Sequence, residues 1–339
     1  MIRYLVIIII LSTGLTQTLS EKRPVSTYSI VARDPDTGEL GVAVQSHWFS
    51  VGPLVAWAEA GVGAVATQSF IDPNYGPLGL ELMKAGRTAQ EAMDALVSTD
   101  TGKDVRQVGM IDASGNTAVF TGNSTIPFAG HKMGKNYSVQ ANLMENPTVW
   151  DAMAIAFESS DGDLAEKLLS ALEAAENEGG DIRGRQSAAI LVVSGDATGF
   201  PWVDRIFDLR IADHPNPVQE LRRLVQLKRA YLKLNEGDDW VTKHQMEKAV
   251  KSYEEATSLV TDEQTNGEAP FWVGVTLVEA NQIEESYPYF RRAYRQDKSW
   301  AELINRLPAA GLLPDDKKTS EKNNKSHEEV TDCRPFSRK

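Results

Sequence analysis

The chain has 339 residues, a formal net charge of −12, and 42% hydrophobic and 24% charged residues. That length allows two domains, and the composition is ordinary for a globular protein. The acidic balance argues against nucleic acid or an anionic membrane surface as a partner, since both need a basic face.

Arg3 precedes an apolar run from Tyr4 to Leu11, and the residues from Ser12 to Ser20 are small and mixed. This is the order of a secretory signal, too short to span a bilayer. Residues 1–20 therefore read as a removable signal, with Thr18-Leu19-Ser20 as the cut site, and the protein as secreted or periplasmic, with no membrane association afterwards. Residues 21–26 form a short charged leader. Tyr28, Ile30 and Ala32 alternate with Ser29, Val31 and Arg33, the period of a strand. Residues 35–39 read as a tight turn and 40–46 as the returning strand. A third strand is expected over about 62–69, then a helix from Pro77 to Ala85 closed by Gly86, then a helix opened by the capping box Thr88-Ala89-Gln90-Glu91. Strands return at 107–111, 117–121 and about 137–143. Asn146-Pro147 and Asp163 read as the starts of two further helices, and 187–194 and 205–211 as closing strands. Strand groups alternate with helix pairs, which favours stacked sheets under helical layers over a doubly wound parallel sheet.

After Asp213 the pattern turns helical, from Val218 to Leu307. Ala249, Tyr253 and Ala256 recur, 37 residues later, as Ser286, Phe290 and Ala293, and Gly237 recurs as Gly274. This spacing resembles the second helix of a tetratricopeptide repeat, and also fits an ordinary pair of helical hairpins. The expected domains are 27–214 and 215–312, followed by a polar, disordered tail over 313–339. Cys333 is the sole cysteine and sits in that tail, so no intrachain disulfide can form.

The opening Ser26-Thr27-Tyr28-Ser29-Ile30-Val31-Ala32-Arg33-Asp34, with Ala60–Gln68, Asn74-Tyr75-Gly76-Pro77, Ala129-Gly130-His131, Gly179–Ala189 and Asp208-Leu209-Arg210, resembles an uncharacterised, mostly bacterial family of N-terminal-nucleophile hydrolase-like domains of unknown function. The resemblance covers about residues 27–225. It implies an α+β fold, a four-layer αββα sandwich, here followed by a smaller all-α helical-hairpin domain. It supplies no substrate.

Thr27 is the candidate nucleophile. If the bond before it is cut, its hydroxyl lies beside a free α-amine, whose pKa of about 8 lets it act as a base near neutrality. Pro24 and the charged leader suit signal peptidase badly, so the cut requires self-cleavage or another protease. The alternative is a strand-edge Thr in a non-catalytic relative. His47, Gln68, Tyr75, His131, Asn142, Asp181, Arg183, Arg185 and Gln186 are the candidate substrate-binding residues. His47 is placed for proton transfer or is a structural strand-end His. Gln68 and Tyr75 bind a polar substrate or stabilise a turn. His131 lines a pocket or caps a turn. Asn142 donates to an oxyanion or satisfies backbone groups. Arg183 and Arg185 clamp a substrate carboxylate, or tie loop to sheet with Asp181 and Gln186. No metal-ligand spacing, phosphate loop or dinucleotide motif is present, and no cofactor is expected. The expected function is cleavage of an amide bond in a peptide or acylated amino compound. The rival is an idle domain whose helical region binds a protein partner.

Overall fold

The computed structural model describes residues 24–313. The expectations for the signal, for the first leader residues and for the tail with Cys333 lie outside that range. Strands β1 (Thr27–Arg33) and β2 (Leu40–Ser46) form the opening hairpin, and Asp34 accepts the Asp36 and Thr37 amides within its turn. A short helix α1 (Gly52–Val55) leads to β3 (Ala56–Glu59) and β4 (Gly63–Ser69). Helices α2 (Tyr75–Lys84) and α3 (Ala89–Thr99) follow, then β5 (Arg106–Asp112), β6 (Thr117–Thr121), β7 (Gly130–Gly134) and β8 (Tyr137–Asn142). Helices α4 (Val149–Ser159) and α5 (Leu164–Asn177) precede β9 (Ser187–Val193), a single turn α6 (Pro201–Asp204) and β10 (Arg205–Ile211).

The strands build a six-stranded sheet in the order β10-β9-β2-β1-β8-β7 and a four-stranded sheet in the order β3-β4-β5-β6. The four-stranded sheet is an antiparallel meander, whereas the six-stranded sheet joins the β1–β2 hairpin to β8 and β9 by antiparallel pairs distant in sequence, and the fold class is α+β. The strand period of two assigns the faces. In β1, Ser29 donates to Gln68 of β4, whereas Tyr28 on the opposite face donates to Glu176 of α5. The six-stranded sheet thus has the other sheet on one side and α4 and α5 on the other, while α2 and α3 pack on the far side of the four-stranded sheet. One part of the space between sheets is apolar, filled by Val31, Leu40, Val42, Val44, Ile111 and Leu191.

Caps follow the sequence at α3, where Thr88 accepts from the Glu91 amide and Glu91 from the Thr88 amide. Asp163 likewise caps α5 through the Glu166 amide. The helix expected at Pro147 begins later, at Val149 with Thr148 as its N-cap, and no side chain caps it. Strands β3 and β7 were not expected from the pattern: β3 has only four residues, and β7 has exposed polar residues between two glycines.

The chain divides into two compact units between Ile206 and Phe207. The second carries α7 (Pro217–Thr242), α8 (Met246–Leu259), α9 (Glu268–Glu279), α10 (Ile283–Gln296) and α11 (Ser299–Ile304). Helix α7 packs on α8, and α9 on α10. Tyr253 and Phe290 are buried, each flanked by fully buried small residues at the repeated positions. The recurrent glycines explain the fit. A Cβ on Gly237 would strike the Tyr253 ring, and one on Gly274 would lie 2.8 Å from the Phe290 ring. Each aromatic therefore fills a notch left by the absent side chain of the preceding helix. Among the described residues no helix is long and apolar enough to cross a membrane.

Tyr253→Ala and Phe290→Ala are each expected to cost about 3–5 kcal/mol, the usual loss for a buried ring. Gly237→Ala and Gly274→Ala should destabilise as well, by overpacking the same notches. Chemical denaturation of the four separate variants checks this, and unchanged midpoints in both aromatic variants would contradict the shared packing.

Candidate active site at the head of the first strand

Thr27 opens β1 in the middle of its sheet, opposite Ser46 of β2 on one side and Asn142 of β8 on the other. It is fully buried, and so is Ser26 before it. The Thr27 hydroxyl turns back along the chain and donates to the Val25 carbonyl at 2.8 Å.

Beneath Thr27 the space between the sheets is polar. Gln68 Nε2 donates to the Thr27 carbonyl at 3.1 Å and to Gln107 Oε1 at 2.7 Å. Asn142 Nδ2 lies 3.0 Å from the same Gln107 oxygen and 3.4 Å from the Thr27 carbonyl. Gln107 Nε2 donates to the carbonyls of Ala141 and Gly130 and to the Thr121 hydroxyl. Gln140 Nε2 donates to Ser29 Oγ, which donates in turn to Gln68 Oε1, both at 2.6 Å. Gly109 opposite leaves room for the Gln140 amide, which a Cβ there would strike. The direction of the network follows from backbone chemistry. Carbonyl oxygens only accept, so Gln107 must aim its NH2 at Ala141 and Gly130. Its oxygen then faces Gln68 and Asn142, which must donate. Asn142 is left with a buried Oδ1 that has no hydrogen-bond partner.

Above Thr27 the leader is pinned. Val25 pairs with Ser69, its N–H to the Ser69 carbonyl at 2.7 Å and the Ser69 N–H to the Val25 carbonyl at 3.0 Å. Ser69 holds a left-handed φ of 71°, a conformation that costs a non-glycine roughly 1–3 kcal/mol and concentrates at functional sites. The Ser26 carbonyl, which belongs to the bond preceding Thr27, accepts from the Ser46 hydroxyl and from Arg183 Nη2 at 3.2 Å. Arg183 Nη1 reaches the Pro24 carbonyl at 3.3 Å. Asp181 orients that guanidinium at 2.8 Å and accepts the backbone N–H groups of Arg183 and His47. Beside Arg183 opens a cavity of about 480 Å³, lined also by His47, Trp48, Phe49 and Gln186.

Residues 27–221 match the family described as a family of unknown function, DUF1028. This chain belongs to the DUF1028 family. A crystal structure from the same family, protein SPO2555 of Silicibacter pomeroyi, is 32% identical over 59% of this chain and 85% of that one, with a TM-score of 0.54. No curated protein matches the chain significantly.

Of the candidate residues in this DUF1028 chain, Thr27, His47, Gln68, Asn142, Asp181, Arg183 and Gln186 converge on this end of β1 through the bonds and cavity just described. The rest lie in other clusters. Tyr75 donates to Asp100, which also pairs with Arg106 at 2.9 Å. Burial, with the Asp100 charge, pushes the Tyr75 phenol well above its usual range. His131 on β7 is exposed and shares a hydrogen bond of 2.9 Å with Thr121, one step from Gln107. Arg185 pairs with Glu176, the acceptor of the Tyr28 hydroxyl on the helical side of the sheet. Among the described residues no three His, Cys, Asp or Glu side chains are grouped to hold a metal.

Reading the DUF1028 sequence by residue type missed Ser46, Gln107 and Gln140 as site residues. The available signal was a polar side chain at the inward register of each strand: Gln107 shares the face of Ile111, and Ser46 that of Val44.

Two expectations follow for the DUF1028 domain. Gln107→Leu removes the bonds to the Ala141 and Gly130 carbonyls and the oxygen that Gln68 and Asn142 share, so it should lose about 2 kcal/mol or more, given roughly 1–3 for each buried polar group left short of a partner. Urea unfolding reads this directly, and an unchanged midpoint would contradict it. Burial raises the Glu176 carboxyl, the Asp181 charge adds to this, and the bonds from Tyr28 and Arg185 only partly offset it. The folded state then binds more protons than the unfolded one just above the ordinary glutamate range, so stability should fall as pH rises through that window. Melting temperature against pH should show this decline in the wild type and lose it in Glu176→Gln.

Proposed function

We propose that this chain is an N-terminal-nucleophile hydrolase that frees its own Thr27 and then cleaves amide bonds in a peptide or an acylated amino compound. The observation that carries the reading is the Ser26 carbonyl. Two donors, the Ser46 hydroxyl and the Arg183 guanidinium, meet on it while the adjacent Thr27 hydroxyl points back along the same segment. Donors fixed where negative charge will develop are the largest common source of acyl-transfer catalysis. The order helix pair, sheet, sheet, helix pair supports a four-layer αββα sandwich of the N-terminal-nucleophile type.

In the self-cleaving step, Thr27 Oγ1 adds to the Ser26 carbonyl carbon and its proton passes to the Thr27 nitrogen. The C–N bond breaks, leaving an ester on Oγ1 and a free amine. Water then adds to the ester and the amine takes its proton. The C–O bond breaks to release the Ser26 carboxylate and restore the hydroxyl. The buried Asn142 Oδ1, opposite Thr27, is the acceptor for the new ammonium. Turnover repeats the chemistry on an external amide: the amine takes the hydroxyl proton and delivers it to the leaving nitrogen. Gln68 and Asn142 hold the Thr27 carbonyl and so fix the nucleophile, while His47 and Gln186 line the substrate cavity. The protein acts outside the cytoplasm after signal removal, and the tetratricopeptide-like notches of its helical unit support binding of a protein partner.

One observation favours the rival scaffold reading: Thr27 is fully buried, with its hydroxyl closed off from an external amide. Intact-mass analysis of protein from its native compartment separates the two. The expected mature chain begins at Thr27. Thr27→Ala should stay uncut, and Ser46→Ala or Arg183→Ala should slow the cut by about 10²-fold, the usual loss for one oxyanion donor. On a broad amide and peptide panel, Thr27→Ala should abolish turnover and Thr27→Ser retain part of it. A homogeneous chain that keeps Ser26 and turns over nothing would establish the scaffold reading instead.

A further inference from the structure

We infer that the acyl side of the site accepts an extended peptide whose scissile carbonyl belongs to a small hydroxyl residue, preceded by a short β-branched aliphatic residue with a free N–H. The inference rests on the proposed role of Thr27. The ester formed when Thr27 takes the acyl group of Ser26 is itself an acyl-enzyme. The walls that hold Pro24, Val25 and Ser26 are therefore acyl subsites, seen here with their first occupant in place.

Each wall has a definite chemistry. Ser26 is fully buried, and its hydroxyl donates to the Asn142 carbonyl at 2.8 Å and approaches the Leu143 carbonyl at 3.4 Å. A pocket floored by two acceptors and closed to water takes a donor of hydroxyl size. An apolar side chain there would strand the carbonyls, and a large one would not fit. The Val25 side chain is fully buried in the apolar cluster that includes Val44, Val51, Ala66 and Ile71. A charged residue in its place would be buried without a partner. The Val25 backbone is paired in both directions with Ser69, which is strand addition to the end of β4, so this subsite needs an N–H and excludes proline. Arg183 then spans the segment, one nitrogen on the Pro24 carbonyl and another on the Ser26 carbonyl, fixing the peptide by its backbone and not by its side chains.

The test uses the processed wild type and four fluorogenic amides of one aminocoumarin, with acyl groups N-acetyl-Pro-Val-Ser, -Pro-Lys-Ser, -Pro-Pro-Ser and -Pro-Val-Trp. The first is expected to exceed each of the others in kcat/KM by about tenfold or more, the scale on which pockets discriminate side chains. A second arm works within the full chain, where Val25→Ile should be cut at nearly the wild-type rate and Val25→Lys at least about tenfold slower by intact mass. Should Val25→Lys fail to fold, the amide panel on wild type decides alone. Thr27-dependent turnover of other amides with no preference for Pro-Val-Ser would overturn this inference and leave the hydrolase reading standing. A wild type that is never cut and turns over no amide would overturn the hydrolase reading, and this inference with it.

Discussion

Gln107 lies fully buried between two sheets, and the amides around Thr27 take their orientation from it. Its nitrogen is committed to backbone carbonyls that can only accept, so its oxygen must serve Gln68 and Asn142, and these in turn must offer nitrogen to the Thr27 carbonyl. A buried polar network of this kind is favourable only when nearly every member is paired. Among these amides the exception is Asn142 Oδ1, on the residue that pairs with Thr27 across β1 and β8.

The same network fixes the fold around the site. One region between the sheets is aliphatic and would tolerate exchange among residues of similar volume. The other holds Ser29, Gln68, Gln107, Gln140 and Asn142, whose partners come from β1, β4, β5 and β8. A slip of any of these strands by one residue would turn its polar side chains to the opposite face and break several bonds together. The polar region thus selects a single register, and the aliphatic region supplies burial.

Much of this was legible in the sequence. The opening hairpin, β6 and β10 fall where the sequence pattern places them; the hairpin's turn carries Asp34, Pro35, Asp36 and Gly38, and the turn before β6 carries Gly115 and Asn116. The caps at Thr88 and Asp163 are local chemistry and could be read directly. Strands β3 and β7 could not, since neither has enough residues of one character to form a pattern. The site was harder. A glutamine within a strand normally marks a solvent face, and only the presence of a second sheet makes Gln107 an interior group. Arg183 and Arg185 looked alike in sequence, two residues apart. Asp181 turns the first toward the leader carbonyls, while Glu176 holds the second on the helical side of the sheet. Tyr75 is drawn away by Asp100, a partner that follows it by 25 positions and adjoins it only after α2 and α3 have folded back.

None of the side chains that hold the Thr27 carbonyl can ionise. Gln68, Gln107 and Asn142 are amides, neutral at every acidity the fold survives, and they are sealed from water. The dipoles beneath Thr27 are therefore indifferent to the proton concentration outside, whether the compartment is acidic or alkaline. The amide scaffold around Thr27 contributes a constant background across that whole range.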